Sequence, residues 1–218
     1  MKKYLIASTL LLGSFLIPSS IVANESKSLY LSIGGGLNFP SDVEGDFEEV
    51  DFSFETDDPF IYSVAIGKEF NDWRLEFNYT GTTISSDSLT GTVGGTGVVL
   101  PFTPDLEFKA KSYMVYGYKD ISNESKFTPY FGAGLGVSDV GYEAITVTVA
   151  GLTETLNAAS KTVFSYGLKG GVGYKIADNA SLYTEGSYIN YASFTTELQE
   201  NYDSNNSFAL SAGLRFNF

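Results

Sequence analysis

Between Asn206 and Phe218 the side chains separate by parity. Phe208, Leu210, Ala212, Leu214, Phe216 and Phe218 fall on one side, and Ser207, Ala209, Ser211, Gly213, Arg215 and Asn217 on the other. A helix would place Arg215, flanked by Leu214 and Phe216, inside the apolar surface, whereas a strand of period two sends it to the opposite face. A strand with one greasy and one polar face is not stable alone and needs neighbours that share both faces.

Seven earlier segments repeat the pattern. Leu29, Leu31, Ile33 and Leu37 oppose Tyr30, Ser32, Gly34, Gly36 and Asn38. Phe60, Tyr62, Val64 and Ile66 oppose Ser63, Ala65 and Gly67. Trp73, Leu75, Phe77 and Tyr79 oppose Arg74, Glu76, Asn78 and Thr80. In the fourth segment, near Phe108 to Tyr118, Met114, Tyr116 and Tyr118 align as the apolar face against Lys109, Lys111, Tyr113 and Gly117. The fifth, from Pro129 to Val137, alternates glycines with apolar residues. The sixth sets Phe164, Tyr166, Leu168, Val172 and Tyr174 against Ser165, Gly167, Lys169, Gly171 and Gly173. The seventh sets Leu182, Thr184 and Tyr188 against Tyr183, Glu185 and Ser187.

The connections alternate in length. Asn71-Asp72 and Ala177-Asp178-Asn179 suit tight hairpin turns, and 119–127 is of middling size, whereas 39–58, 82–106, 139–161 and 190–205 are long. Antiparallel neighbours joined in sequence put all short connections at one end and all long ones at the other. The expected fold class is all-β: an eight-stranded antiparallel up-and-down transmembrane β-barrel with four long loops on the outer rim.

The polar faces decide which way the barrel faces. They are rich in Gly, Ser and Ala and carry Arg74, Glu76, Lys109, Lys111, Lys169, Glu185 and Arg215. An eight-stranded interior has room only for interdigitating side chains, so this face belongs inside and the bulky face belongs in lipid. The charges are then expected to form a paired lumen network with an excess of cations, and the inward glycines to leave small watery pockets. Phe60 and Phe70 lie about 33 Å apart along an extended strand, or ~24 Å of depth at a ~45° tilt, against an apolar band of ~25 Å. Interfacial girdles are expected from Phe70, Trp73, Tyr118 and Tyr174 near the short turns, with Phe218, and from Phe60, Tyr79, Phe164 and Tyr188 near the long loops.

The N-terminus carries Lys2 and Lys3, an apolar stretch from Tyr4 to Ile17, Pro18 and small residues up to Ala23. This reads as a signal peptide over 1–23, too short for a membrane span, followed by one domain over 24–218. Chemistry is narrowed by what is missing: with no His and no Cys, imidazole or thiolate metal sites and Ser-His or Cys-His nucleophiles are excluded. No catalytic residue, metal or cofactor is expected. A net charge of −13 also makes nucleic acid a poor partner.

With the leader, the segment TPYFGAGLGV at 128–137 and the ending SFALSAGLRFNF at 207–218, the chain resembles the eight-stranded outer-membrane barrel superfamily of opacity proteins, surface antigens and the outer membrane protein A barrel. The resemblance implies outer-membrane lipid and lipopolysaccharide as surroundings. It also implies that Phe216 and Phe218 are read as an assembly signal by the barrel-assembly machinery. It carries no periplasmic wall-binding domain, and barrel enzymes of this kind depend on His, which this chain lacks. The first long loop holds Asp42, Glu44, Asp46, Glu48, Glu49, Asp51, Glu55, Asp57 and Asp58 without a Lys or Arg, so a solvated acidic loop is expected, with divalent binding an open question. The expected role is structural or surface-interacting, through an unidentified extracellular ligand, and the competing one is a small passive pore.

Overall fold

The computed structural model describes residues 29–47, 50–54, 59–93, 96–142, 145–149, 152–156, 158–195 and 201–218. The leader expected over 1–23 lies outside them, as do Glu48, Glu49, Glu55, Asp57 and Asp58 of the first acidic segment. In chain order the strands are β1 (Leu29–Pro40), β2 (Val43–Phe47), β3 (Val50–Phe54), β4 (Phe60–Phe70), β5 (Trp73–Val93), β6 (Thr96–Asp120) and β7 (Phe127–Tyr142). They continue with β8 (Ile145–Val149), β9 (Leu152–Leu156), β10 (Ala159–Ala177), β11 (Ala180–Tyr191), β12 (Phe194–Thr195), β13 (Asn201–Tyr202) and β14 (Asn205–Asn217).

Eight of these, β1, β4, β5, β6, β7, β10, β11 and β14, close into an antiparallel barrel. Every stave pairs with its sequence neighbour in the barrel, and β1 pairs with β14 from Tyr30↔Asn217 to Pro40↔Ser207. Closure leaves no sheet edge in the hydrocarbon, where an unpaired backbone group would cost several kcal/mol. The hairpin between β4 and β5 turns at Asn71, whose φ of 57° lies in the left-handed region that Asn enters more readily than most residues. A neighbouring turn is tied to it: Asp72 accepts hydrogen bonds from Ser122 Oγ at 2.6 Å and Lys119 Nζ at 3.2 Å. These donors hold its exposed carboxyl below the usual carboxylate range.

The last strand shows the direction of the faces: Leu210 is 64% exposed while Ala209 beside it is 5% exposed. The apolar parity faces out on all eight staves, as at Ile33, Leu75, Val115, Phe131, Leu168 and Leu182, and the interior is lined by Ser, Gly, Tyr and the charged groups. On β6 the sequence reading inverted the faces. Met114, Tyr116 and Tyr118 are buried in the lumen, and Tyr113 and Val115 face out. Lys109 and Lys111 share the outward parity of Tyr113, so they are not lumen charges. The reason is length: β6 is 25 residues long and outruns the bilayer, and beyond it an outward lysine meets water or headgroups rather than hydrocarbon.

The described parts of the four long connections are largely strands. Strands β2 and β3 form one hairpin, β8 and β9 another, and the upper halves of β5 and β6 pair up to Val93↔Thr96. The register of that tall hairpin shifts between Ser86 and Ser88, where Ser86 faces Leu106 but Ser88 faces Pro101, a bulge that absorbs a proline poor at ladder bonding. Outside the membrane, β13 pairs with β2 and β3 with β5, so the connections after β1, β5 and β11 merge into one sheet of order β12-β13-β2-β3-β5.

Candidate functional site

Two features stand out: the contents of the lumen and the wall above it. The lumen floor is built on tyrosines, each paired across its ladder with a glycine: Tyr30↔Gly67, Tyr116↔Gly134, Tyr118↔Gly132, Tyr130↔Gly171 and Tyr183↔Gly213. A Cβ at any of these five glycines would collide with the ring of its partner. A polar lumen cavity of about 30 Å³ lies among Thr80, Tyr116, Lys169, Glu185 and Ser211, while at these five positions the glycines make room for rings that lie flat across the neighbouring strand. This corrects the expectation that bulky aromatics belong only outside, because a phenol carries a hydroxyl that an interior of charges can bond.

Those hydroxyls hold the acids. Glu76 accepts from Tyr30 at 2.9 Å and Tyr118 at 3.0 Å, and Glu185 accepts from Tyr130 at 3.1 Å. Lys169 Nζ lies 3.0 Å from Glu185 Oε1 and 4.7 Å from the centre of the Tyr116 ring. Arg74, whose side chain is fully buried, donates its Nε to both oxygens of Asp120 at 3.0 and 2.9 Å. Its guanidinium lies 4.4 Å from the ring centre of Tyr118 and 4.7 Å from that of Tyr130. Arg215 lies 4.9 Å from Tyr30, with Tyr130 and Tyr183 at 5.7 and 5.8 Å. Arg74 Nη2 lies 2.9 Å from Asp120 Oδ1, whereas Arg74 Nη1 and the Nε of Arg215 lack a hydrogen-bond acceptor among the described residues and have ring faces near them instead. Desolvated contacts of that kind contribute on the order of 2 kcal/mol each.

The expected network is thus brought together in part. Arg74, Glu76, Lys169, Glu185 and Arg215 meet in the lumen, Lys109 and Lys111 do not, and Asp120, unnoticed in the sequence, joins. With Asp120, and with Glu69 on the inward parity of β4 opposite Arg74, the expected excess of cations is not seen among the described residues. Asp120 shares parity with Tyr118, so the correct face of β6 would have found it. Tyr118 itself is 1% exposed at the heart of this plug and does not belong to a girdle.

On the outer surface, Phe70, Trp73, Tyr174 and Phe218 ring the short-turn end, with Lys119 Nζ 5.1 Å above the Trp73 ring and Phe127 packed at a tilt against Tyr174, ring centres 4.8 Å apart. Phe216 points outward beside them, and the Phe218 N–H bonds the Leu29 carbonyl at 2.8 Å. At the other end Phe60, Tyr79, Phe164 and Tyr188 face outward, joined by Tyr62, Tyr113 and Phe208. Ring centres there are 6.1 Å apart for Tyr62 and Tyr79, 5.3 Å for Tyr79 and Tyr113, and 5.0 Å for Tyr188 and Phe208. Two aromatic belts separated by an apolar band describe a bilayer.

A match to the outer membrane protein beta-barrel domain runs over residues 7–216. The chain belongs to that family. This outer-membrane barrel is 35% identical over 138 residues to outer membrane protein PagN of Salmonella typhimurium, which covers 58% of this chain and 55% of that protein. It spans little more than half of that relative's length. Among solved structures, Neisserial surface protein A superposes with a TM-score of 0.58 at 20% identity, over 89% of this chain and 100% of that one. The outer membrane protease OmpT of Escherichia coli superposes at 0.55 with 10% identity, over 89% and 99%. At these identities the two structures speak for the fold alone.

Among the described residues, no group of three or more Asp, Glu, His or Cys side chains is arranged to hold a metal ion. The acids of the first hairpin instead join the wall. Asn201 donates to Asp46 at 3.0 Å, and the Asp203 N–H bonds the Glu44 carbonyl at 3.0 Å.

Proposed function

We propose that this outer-membrane barrel is a non-conducting, non-enzymatic surface-interaction protein whose sealed barrel anchors an extracellular β wall. The observation that carries the reading is the joining of three connections into one sheet through β13–β2 and β3–β5 pairing. A pore needs its loops kept clear of the mouth, whereas a binding surface needs them locked together. The plug supports the same reading: Arg74, Tyr30, Tyr118 and Tyr130 are all at most 4% exposed and span the lumen between opposite staves. The lack of His and Cys speaks against catalysis. Glu44, Asp46, Asp51 and Asp203 gather on one patch of the wall, which favours a basic partner. Lys109 and Lys111, just beyond the outer aromatic belt, would meet lipopolysaccharide phosphates.

Cells displaying the full chain are expected to adhere to cationic protein surfaces better than cells whose 43–54 hairpin is replaced by a short turn. Purified protein is expected to give no conductance steps in planar bilayers. Reproducible steps would instead favour a passive pore, and equal adhesion of the two cell types would remove the surface reading.

A further inference from the structure

Above the plug the lumen changes character. The hydroxyls of Ser165, Ser138 and Ser112 form a buried chain, each donating to the next at 2.8 Å, so they bond one another rather than facing upward unpaired. The next inward residues up the staves are carbon-rich: Ala110 and Phe108 on β6, Val140 and Tyr142 on β7 and Ile84 on β5. Phe194 and Tyr202 from the extracellular wall close the top. Together with Val43, Lys109, Ser160 and Tyr191 they line a partly open cavity of about 80 Å³.

The walls are aromatic and well packed. Phe54, Phe108 and Tyr142 meet edge to face with ring centres 5.2 and 5.9 Å apart, and Phe194 stacks on Tyr202 at 5.0 Å. Protein interiors seldom keep a void larger than a water molecule. This one persists where Ala110, Ala159 and Ala192 stand among larger side chains. Lys109, Ser160, Tyr191, Asp203 and Asn205 are the polar part of a lining that is otherwise mostly carbon, so water, which needs two to four polar partners, is disfavoured there against an apolar guest. Asp203 and Asn205 mark the rim, which lies on the extracellular side.

We infer that this chamber is a binding site for a small uncharged apolar group, the end of a short alkyl chain. Its volume is roughly half that of the ~150 Å³ engineered cavities that admit benzene or xenon, which leaves room for a guest the size of a xenon atom or an ethyl group but not for an aromatic ring. The group could come from a free solute or from the end of a lipid acyl chain. The plug below stops passage, so the chamber binds and does not conduct.

The test is xenon titration followed by methyl NMR of the full-length protein, in lipid nanodiscs and in lipid-free amphipol, with the Ala110 and Ile84 methyls as reporters and lipid-facing Ala133 as control. Saturable shifts at Ala110 and Ile84, with only linear drift at Ala133, are expected. Saturation in amphipol but not in nanodiscs would mean that an acyl chain already fills the site, which keeps the chemistry and identifies the source. Ala159→Leu, which fills the void, is expected to weaken the apparent affinity at least tenfold, and Ala110→Val serves the same purpose should the first variant misfold. Linear drift at every methyl in both media, or shifts in a filled variant equal to those of the parent, would overturn the inference.

Discussion

Arg74 concentrates the logic of the interior in one side chain. Its charge is fully buried, fixed by a two-oxygen contact to Asp120 and wedged between the rings of Tyr118 and Tyr130. Removing one member of a buried pair strands the other and empties the space between the rings. Such breaks typically cost 3–5 kcal/mol, and Asp120 retains some exposure to relieve its loss. Arg74→Ala is therefore expected to lower stability by about 3 kcal/mol, read as a lower midpoint in the heat-dependent gel shift of the folded barrel. Arg74→Lys, which keeps the charge but loses the fork and the planar stacking, should fall between the two. An Arg74→Ala midpoint equal to that of the parent would mean that the plug is decorative.

At the scale of strands, the pairing of tyrosine with glycine is the device that fills a narrow barrel, and it can be tested as a pair. Gly132→Ala pushes a methyl into the Tyr118 ring, an overpacking expected to cost ~1–3 kcal/mol. In the background of Tyr118→Leu, which clears that space, the same change should cost markedly less, and a double-mutant cycle on unfolding midpoints measures the coupling. Strict additivity would show that ring and glycine do not meet. The pattern also explains what was legible beforehand. Seven staves could be oriented from parity because charges such as Arg215 and Glu76 lie within the bilayer span, where only the lumen accepts them. The eighth misled because its lysines, Lys109 and Lys111, lie past the outer belt, where parity no longer separates lipid from lumen. Tyrosine added to the error, since its ring suits the interface and its hydroxyl suits a polar interior equally well. The extracellular hairpins were within reach of the sequence. Residues 145–156, ITVTVAGLTETL, alternate on both sides of the Ala-Gly pair, but the contrast between long and short connections drew that segment into a loop. The pairing of β13 with β2 was out of reach, because contacts between segments 155 residues apart are set by the barrel that brings them together.

For the molecule as a whole, barrel and wall answer to different forces. The barrel is held by lipid outside and a network of tyrosines and paired charges inside, and the wall by strand pairing and an aromatic core in water. They should therefore fail separately. Replacing 43–54 with a short turn removes β2 and β3, which takes the ladder partner from β13 on one side and from the upper part of β5 on the other. The Asp203 amide, bonded in the parent to the Glu44 carbonyl, is then expected to lose its protection from hydrogen exchange. The amides of β1 and β14 within the bilayer should keep theirs, because their register with each other runs through residues the change does not touch. The heat-dependent gel shift should stay close to that of the parent for the same reason. If Asp203 remains protected, the wall is not built through β2. If the β1–β14 amides exchange faster together with it, the wall acts as a clamp on barrel closure, and recognition at the surface would then be coupled mechanically to the stability of the barrel beneath.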